Sequence, residues 1–80
     1  MTKQQIIEQT NTFLIKTLDF KEAQIYPDAE LRRDLGITSV DAVAIVTFVQ
    51  KNFSCPIVMS EIKALITLQD LYNYIEQHAC

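Results

Sequence analysis

Glycine occurs once in this chain of 80 residues, proline twice and tryptophan not at all. So small a supply of turn formers excludes an architecture of many short strands and tight hairpins. The single histidine, His78, lies close to the C-terminal end. No Ser-His-Asp or Cys-His set can be drawn around it, and a protonated imidazole near a helix C-terminus is explained by the helix dipole alone. The two cysteines, Cys55 and Cys80, together with His78 follow no zinc spacing and are too few for a closed structural site. Cys55 is expected to be a small apolar filler beside Pro56 and Cys80 a solvated free thiol, with no structural disulfide in a reducing compartment. Basic residues are few and scattered (Lys3, Lys16, Lys21, Arg32, Arg33, Lys51 and Lys63), and the net charge is -3. Without a basic face, no counterions are released from a phosphate backbone, which excludes nucleic acid as a partner. No apolar run is long enough to span a bilayer, and the charged, periodic N-terminal stretch is not a signal peptide. A cytoplasmic monomer with no membrane contact is expected.

What is present is apolar and periodic. Hydrophobic residues make up 49% of the chain, enough for a compact core, and the length fits one domain over residues 1–80. Ile6, Ile7, Thr10, Phe13, Leu14, Thr17 and Leu18 recur at three- and four-residue spacing, which predicts a first helix over residues 2–18 opened by a Thr2/Gln5 capping box. Residues 19–37 hold Pro27 and the lone Gly36 and show no sustained period. They read as a long ordered loop, tacked to the core by Ile25, Tyr26, Leu31, Leu35 and Ile37. Loops of this length in small domains are usually functional.

Residues 39–53 are rich in β-branched side chains that suit a strand. Their length without Gly or Pro argues for a helix, as does the i, i+4, i+8 placing of Ile45, Val49 and Phe53. Thr38 with Asp41 three residues on resembles a capping box and puts an acid in the first turn. A short third helix is expected around residues 59–65, with Ile62 and Leu65 pointing inward. Thr67 then caps a last helix carrying Leu68, Leu71, Tyr72 and Ile75 and ending near His78. The fold class is therefore all-α, a bundle of three longer helices and a short one.

Chemistry can sit in one segment, Gly36-Ile37-Thr38-Ser39-Val40-Asp41. Glycine permits a turn with φ > 0, and a hydroxyl pair then opens a helix whose first backbone N–H groups lack helical partners. A phosphodiester on Ser39 would meet those donors and the positive end of the dipole. Plain N-capping by Thr38 or Ser39 explains the same residues.

The stretch Asp34-Leu35-Gly36-Ile37-Thr38-Ser39-Val40-Asp41 resembles the phosphopantetheine attachment motif of acyl carrier proteins, usually Asp-Leu-Gly, one residue, Asp-Ser-Leu, then Asp or Glu. Phe53 resembles the phenylalanine that ends the family's second helix, Ile57 the apolar residue after it, and Thr67-Leu68-Gln69-Asp70 with Tyr74-Ile75 the start and close of its final helix. The resemblance implies a four-helix bundle of acyl-carrier type with a long loop between helices one and two. It also implies a covalent 4'-phosphopantetheine on Ser39, attached from coenzyme A by a separate magnesium-dependent phosphopantetheinyl transferase. The arm's thiol would hold acyl groups as thioesters for acyl-loading and acyl-processing enzymes. Ser39 is then an attachment point, not a nucleophile, and the chain is not an enzyme. Two departures stand out: Thr38 replaces the family's Asp, keeping the cap oxygen but dropping a charge, and Ala44, Gln50 and Lys51 stand where acids are usual on helix two.

Spacing draws an exposed side of helix two through Val40, Ala44, Thr47, Phe48 and Lys51, with Asp41 one turn in as a contact for basic partners. Either Phe48 anchors a hydrophobic docking face there, or it packs beneath helix three or the long loop. A fatty-acid, polyketide or related carrier is the leading expectation, beside a peptidyl or aminoacyl carrier and an unmodified interaction module of the same fold.

Overall fold

The computed structural model describes residues 2–79. Four α-helices follow in order: α1 (Lys3–Lys16), α2 (Ser39–Phe53), α3 (Met59–Ala64) and α4 (Leu68–His78). The three longer helices each begin at a threonine whose hydroxyl accepts a backbone N–H while the residue three places on reaches back. Gln5 N donates to Thr2 Oγ1 at 3.2 Å, Asp41 N to Thr38 Oγ1 at 3.2 Å, and Asp70 N to Thr67 Oγ1 at 3.2 Å. Each cap satisfies donors that the first turn would otherwise leave open. The amides of Thr67 and Ile66 also donate to Asp70, which holds its carboxyl below the ordinary carboxylate value.

The helices bury the stripes their spacing draws. Ile6, Thr10 and Leu14 of α1 face Leu68, Leu71, Tyr72 and Ile75 of α4 across a common core, which α2 enters through Ala42, Ile45, Val46, Val49 and Phe53. The β-branched residues of α2 thus serve a helix, because a helical face lets five of its residues reach the core at once. Polar links pin the α1 and α4 pair: Tyr72 donates to Asn11 Oδ1, and Lys3 Nζ donates to Asn73 Oδ1 at 2.7 Å. Burial pushes the Tyr72 hydroxyl up to about 12. Tyr74 donates to the Glu61 carboxylate and so ties α4 to α3, and that bond pushes its own hydroxyl up to about 12. Thr10 is buried, and among the described residues its hydroxyl has no hydrogen-bond partner.

The long segment between α1 and α2 is ordered by backbone bonds as well as by side chains. It holds a 3-10 turn at Glu22–Gln24, and an isolated antiparallel bridge joins Glu30 to Thr67. Leu31 N donates to Ile66 O at 2.8 Å, and Leu68 N donates to Ala29 O at 3.0 Å, so the loop is stitched to the connection between α3 and α4. Leu31 and Leu35 are buried as expected, and Ile25 and Ile37 pack against the core from its edge. Tyr26 corrects the expectation: its residue is 46% exposed, because the chain turns there and carries it outward, and buried Ala29 fills the interior place. Cys55, expected to be a small apolar filler, is buried. Cys80, expected to be a free surface thiol, lies outside the described residues.

Candidate functional site

The loop delivers the chain to α2 through a turn that only glycine enters easily. Gly36 has φ +63°, and a Cβ there would meet nothing within 4 Å, so backbone conformation and not crowding demands glycine. Two bonds shape the approach: Leu35 N donates to Glu30 O at 3.1 Å, and Ile37 N donates to Leu31 O at 2.9 Å. Asp34 braces the same turn, its Oδ2 accepting from Glu30 N at 2.8 Å. The Asp-Leu-Gly part of the motif is thereby a structural device with three jobs: an acid that ties the turn, a leucine that anchors it in the core, and a glycine that reverses it.

Thr38 is the N-cap of α2 and Ser39 its first helical residue. The Thr38 hydroxyl is committed to Asp41 N, and Asp41 Oδ2 accepts from Thr38 N at 3.3 Å. Capping therefore falls to Thr38 and leaves the exposed Ser39 hydroxyl outside the capping box. The first main-chain helical bond runs from Ala42 N to Thr38 O at 2.9 Å, so the amides of Ser39 and Val40 precede the regular ladder.

Beside Ser39 lies a cleft of about 370 Å³, within the range of roughly 300–1,000 Å³ common for ligand pockets. Leu31 and Ile37 wall it from the loop, Ser39 and Ala42 from α2, and Ile62 and Leu65 from α3 and the turn after it. Thr38, Arg32 and Lys63 complete the lining, and Arg32 Nη2 donates to Lys63 O at 3.1 Å.

A family model described as "Phosphopantetheine attachment site" matches residues 12–75. The chain is 33% identical over 78 residues to the acyl carrier protein of Cyanidioschyzon merolae (strain NIES-3377 / 10D), which covers 98% of this chain and 86% of that protein. The chain belongs to the acyl carrier protein family. Members of that family are carriers rather than catalysts, work with transferases and biosynthetic enzymes, and bear 4'-phosphopantetheine covalently. The carrier's geometry fits such a group, because an exposed hydroxyl at the opening of a helix adjoins a cleft lined by both apolar and polar side chains. Among the described residues no cluster of three or more His, Cys, Asp or Glu is placed to hold a metal, and no helix is long and apolar enough to cross a membrane.

The carrier's second helix is arranged differently from the expected face. Val40 is 78% exposed, Thr47 and Lys51 are exposed, and Ala44 is half-buried. Val43, absent from the expected face, is 52% exposed and joins it. Phe48 is half-buried: its ring stacks on Phe13 of α1 with centroids 4.3 Å apart, and it meets Phe53 edge-on at 5.5 Å. The physical reason is rotation, since Phe48 lies on the flank of α2 that turns toward α1, whereas Val43 lies one turn from Val40 on the open side. Helical spacing from Val40 alone was enough to find Val43. No local signal marked Arg32 and Lys63, which stand 31 residues apart and meet only through the fold.

Proposed function

We propose that Ser39 carries the 4'-phosphopantetheine arm, joined by a phosphodiester received from coenzyme A through a phosphopantetheinyl transferase. The carrier then passes acyl intermediates between enzymes of fatty-acid, polyketide or related biosynthesis. When attached, the arm supplies a thiol that binds cargo as a thioester. The chain's own residues do the rest. Ser39 presents its oxygen, the first-turn amides offer donors to the phosphate, and Thr38 with Asp41 keeps that end of the helix from fraying.

The observation that carries this reading is the division of labour at the start of α2: Thr38 is the cap and the neighbouring hydroxyl of Ser39 is exposed beside a cleft. Partner docking is assigned to Val40, Asp41, Ala44, Thr47 and Lys51 together with Val43. Phe48 supports that face from beneath through its stack on Phe13. Asp41 is the one carboxylate among them, so contact with partners relies on apolar surface more than on charge. The same reading holds that residues 1–80 form a single carrier domain, that it acts as a cytoplasmic monomer, and that it catalyses nothing alone.

Incubation with coenzyme A and a transferase of broad specificity tests the assignment by intact mass. Wild-type protein gains one arm, and Ser39→Ala gains none. A folded wild type that gains nothing, or a Ser39→Ala variant that still gains the arm, refutes it. One observation favours a second reading, an unmodified interaction module: Thr38 stands where the family's motif has a carboxylate, and the mass experiment separates the two. A peptidyl or aminoacyl carrier is the alternative within the class, supported by the scarcity of acids on the exposed side of α2.

A further inference from the structure

The charge of the cleft beside Ser39 opposes the charge of the chain. Ten acidic residues outnumber seven basic ones overall, yet the charged residues lining the cleft are Arg32 and Lys63, both cations. Neither forms an ion pair among the described residues, and Glu30, which lines an adjoining cavity with the same two cations, is paired with Arg33. Among the described residues the ion pairs are Lys3 with Glu76 and Arg33 with Glu30 and Asp34, so Arg33 is tied to carboxylates while the adjacent Arg32 is not. Arg32 is nevertheless positioned, because Nη2 donates to the Lys63 carbonyl at 3.1 Å and anchors the guanidinium across the loop and α3. A guanidinium has five N–H donors, so this single bond leaves others for a ligand, and the Lys63 ammonium adds three more. Two cations in one concave lining without a carboxylate form a site for an anion.

We propose that Arg32 and Lys63 form a subsite for the phosphodiester of the arm, holding it against the cleft between α2 and α3 when no partner enzyme draws it out. The inference rests on attachment of the arm to Ser39. The phosphodiester is the one anion that the arm itself brings, and its linkage to Ser39 keeps it at the cleft that both cations line. Both side chains are exposed, so each contact is an ordinary surface ion pair, weak and screened by salt. The arm therefore exchanges between a docked and a free state. Such exchange suits a carrier, since a tightly held arm would resist transfer to the next enzyme. Removal of one cation lowers the docked-to-free ratio roughly two- to fivefold.

Phosphorus NMR of the arm-bearing protein over a sodium chloride titration reads this equilibrium directly, with intact mass measured on each sample. The phosphodiester resonance of the wild type is expected to move with salt toward its position in free phosphopantetheine. Lys63→Gln, which leaves the Arg32 hydrogen bond to the backbone in place, shifts partway along the same path. Arg32→Gln with Lys63→Gln starts at the high-salt position and no longer responds, while its circular dichroism matches wild type. A salt response in the double variant equal to that of wild type overturns the subsite alone. Absence of the arm from Ser39 in the mass spectrum of the wild type overturns both the subsite and the carrier reading.

Discussion

Replacing Phe48 by alanine tests whether the ring on the α1 flank of α2 is structural. Its stack on Phe13 and edge contact with Phe53 make it the centre of a three-ring cluster, although part of its surface remains open. Truncating a fully buried phenylalanine costs about 3–5 kcal/mol, so a half-buried one is expected to cost about 2 kcal/mol. Of this, roughly 0.5–1.5 kcal/mol belongs to the ring pair beyond its area. Urea and thermal unfolding of wild type, Phe13→Ala, Phe48→Ala and the double variant give both quantities. The single changes should each lower Tm by about 8–16 °C, given that 1 kcal/mol moves a domain of this size by about 4–8 °C. The double variant should be more stable than the sum of the two losses by about 1 kcal/mol. Arm loading on Ser39, normalised to the folded fraction, should be unchanged. If Phe48→Ala unfolds like wild type, or the two losses simply add, the ring is not structural and the packing argument fails.

Two further outcomes follow from single side chains. Thr10→Val exchanges a buried, unpartnered hydroxyl for a methyl of similar shape, and relief of a desolvation penalty of about 1–3 kcal/mol should raise the urea midpoint with an unchanged m value. A variant less stable than wild type would show that the hydroxyl is satisfied after all. Asp70 has its carboxyl lowered below 3.8 by hydrogen bonds from the Thr67 and Ile66 amides that form only in the fold. Its contribution is therefore present above that value and disappears as pH falls through the lower folded value. Asp70→Asn keeps an oxygen for the cap and removes the titration, so its stability should decline less steeply on the acid side. Superimposable acid limbs for the two proteins would sink that account.

Much of the helical frame was legible because helix signals are local. Threonine with an acid or glutamine three residues later marked every long helix start, and the three- and four-residue spacing marked the faces of α1 and α4. The motif around Gly36 was legible for a similar reason, since a left-handed turn before a capped helix is written in adjacent residues. Tyr26 lies outward because the loop turns there, and the side on which Phe48 of α2 meets Phe13 depends on how that helix is rotated against α1. Spacing fixes the angle between side chains on one helix but not the angle of the helix to the rest.

That difference sets the boundary between chain and fold. Order along the backbone was enough to specify an all-helical domain, the place where α2 begins and the serine beside its cap, because each depends on contacts within a turn or two. Which side of α2 stays open, that residues 27–31 are stitched to residues 66–69, and that Arg32 reaches across to Lys63 beside Ser39 are settled by packing alone. Such contacts join segments distant in sequence, and their partners can be known only once the core has chosen how its helices lie against one another.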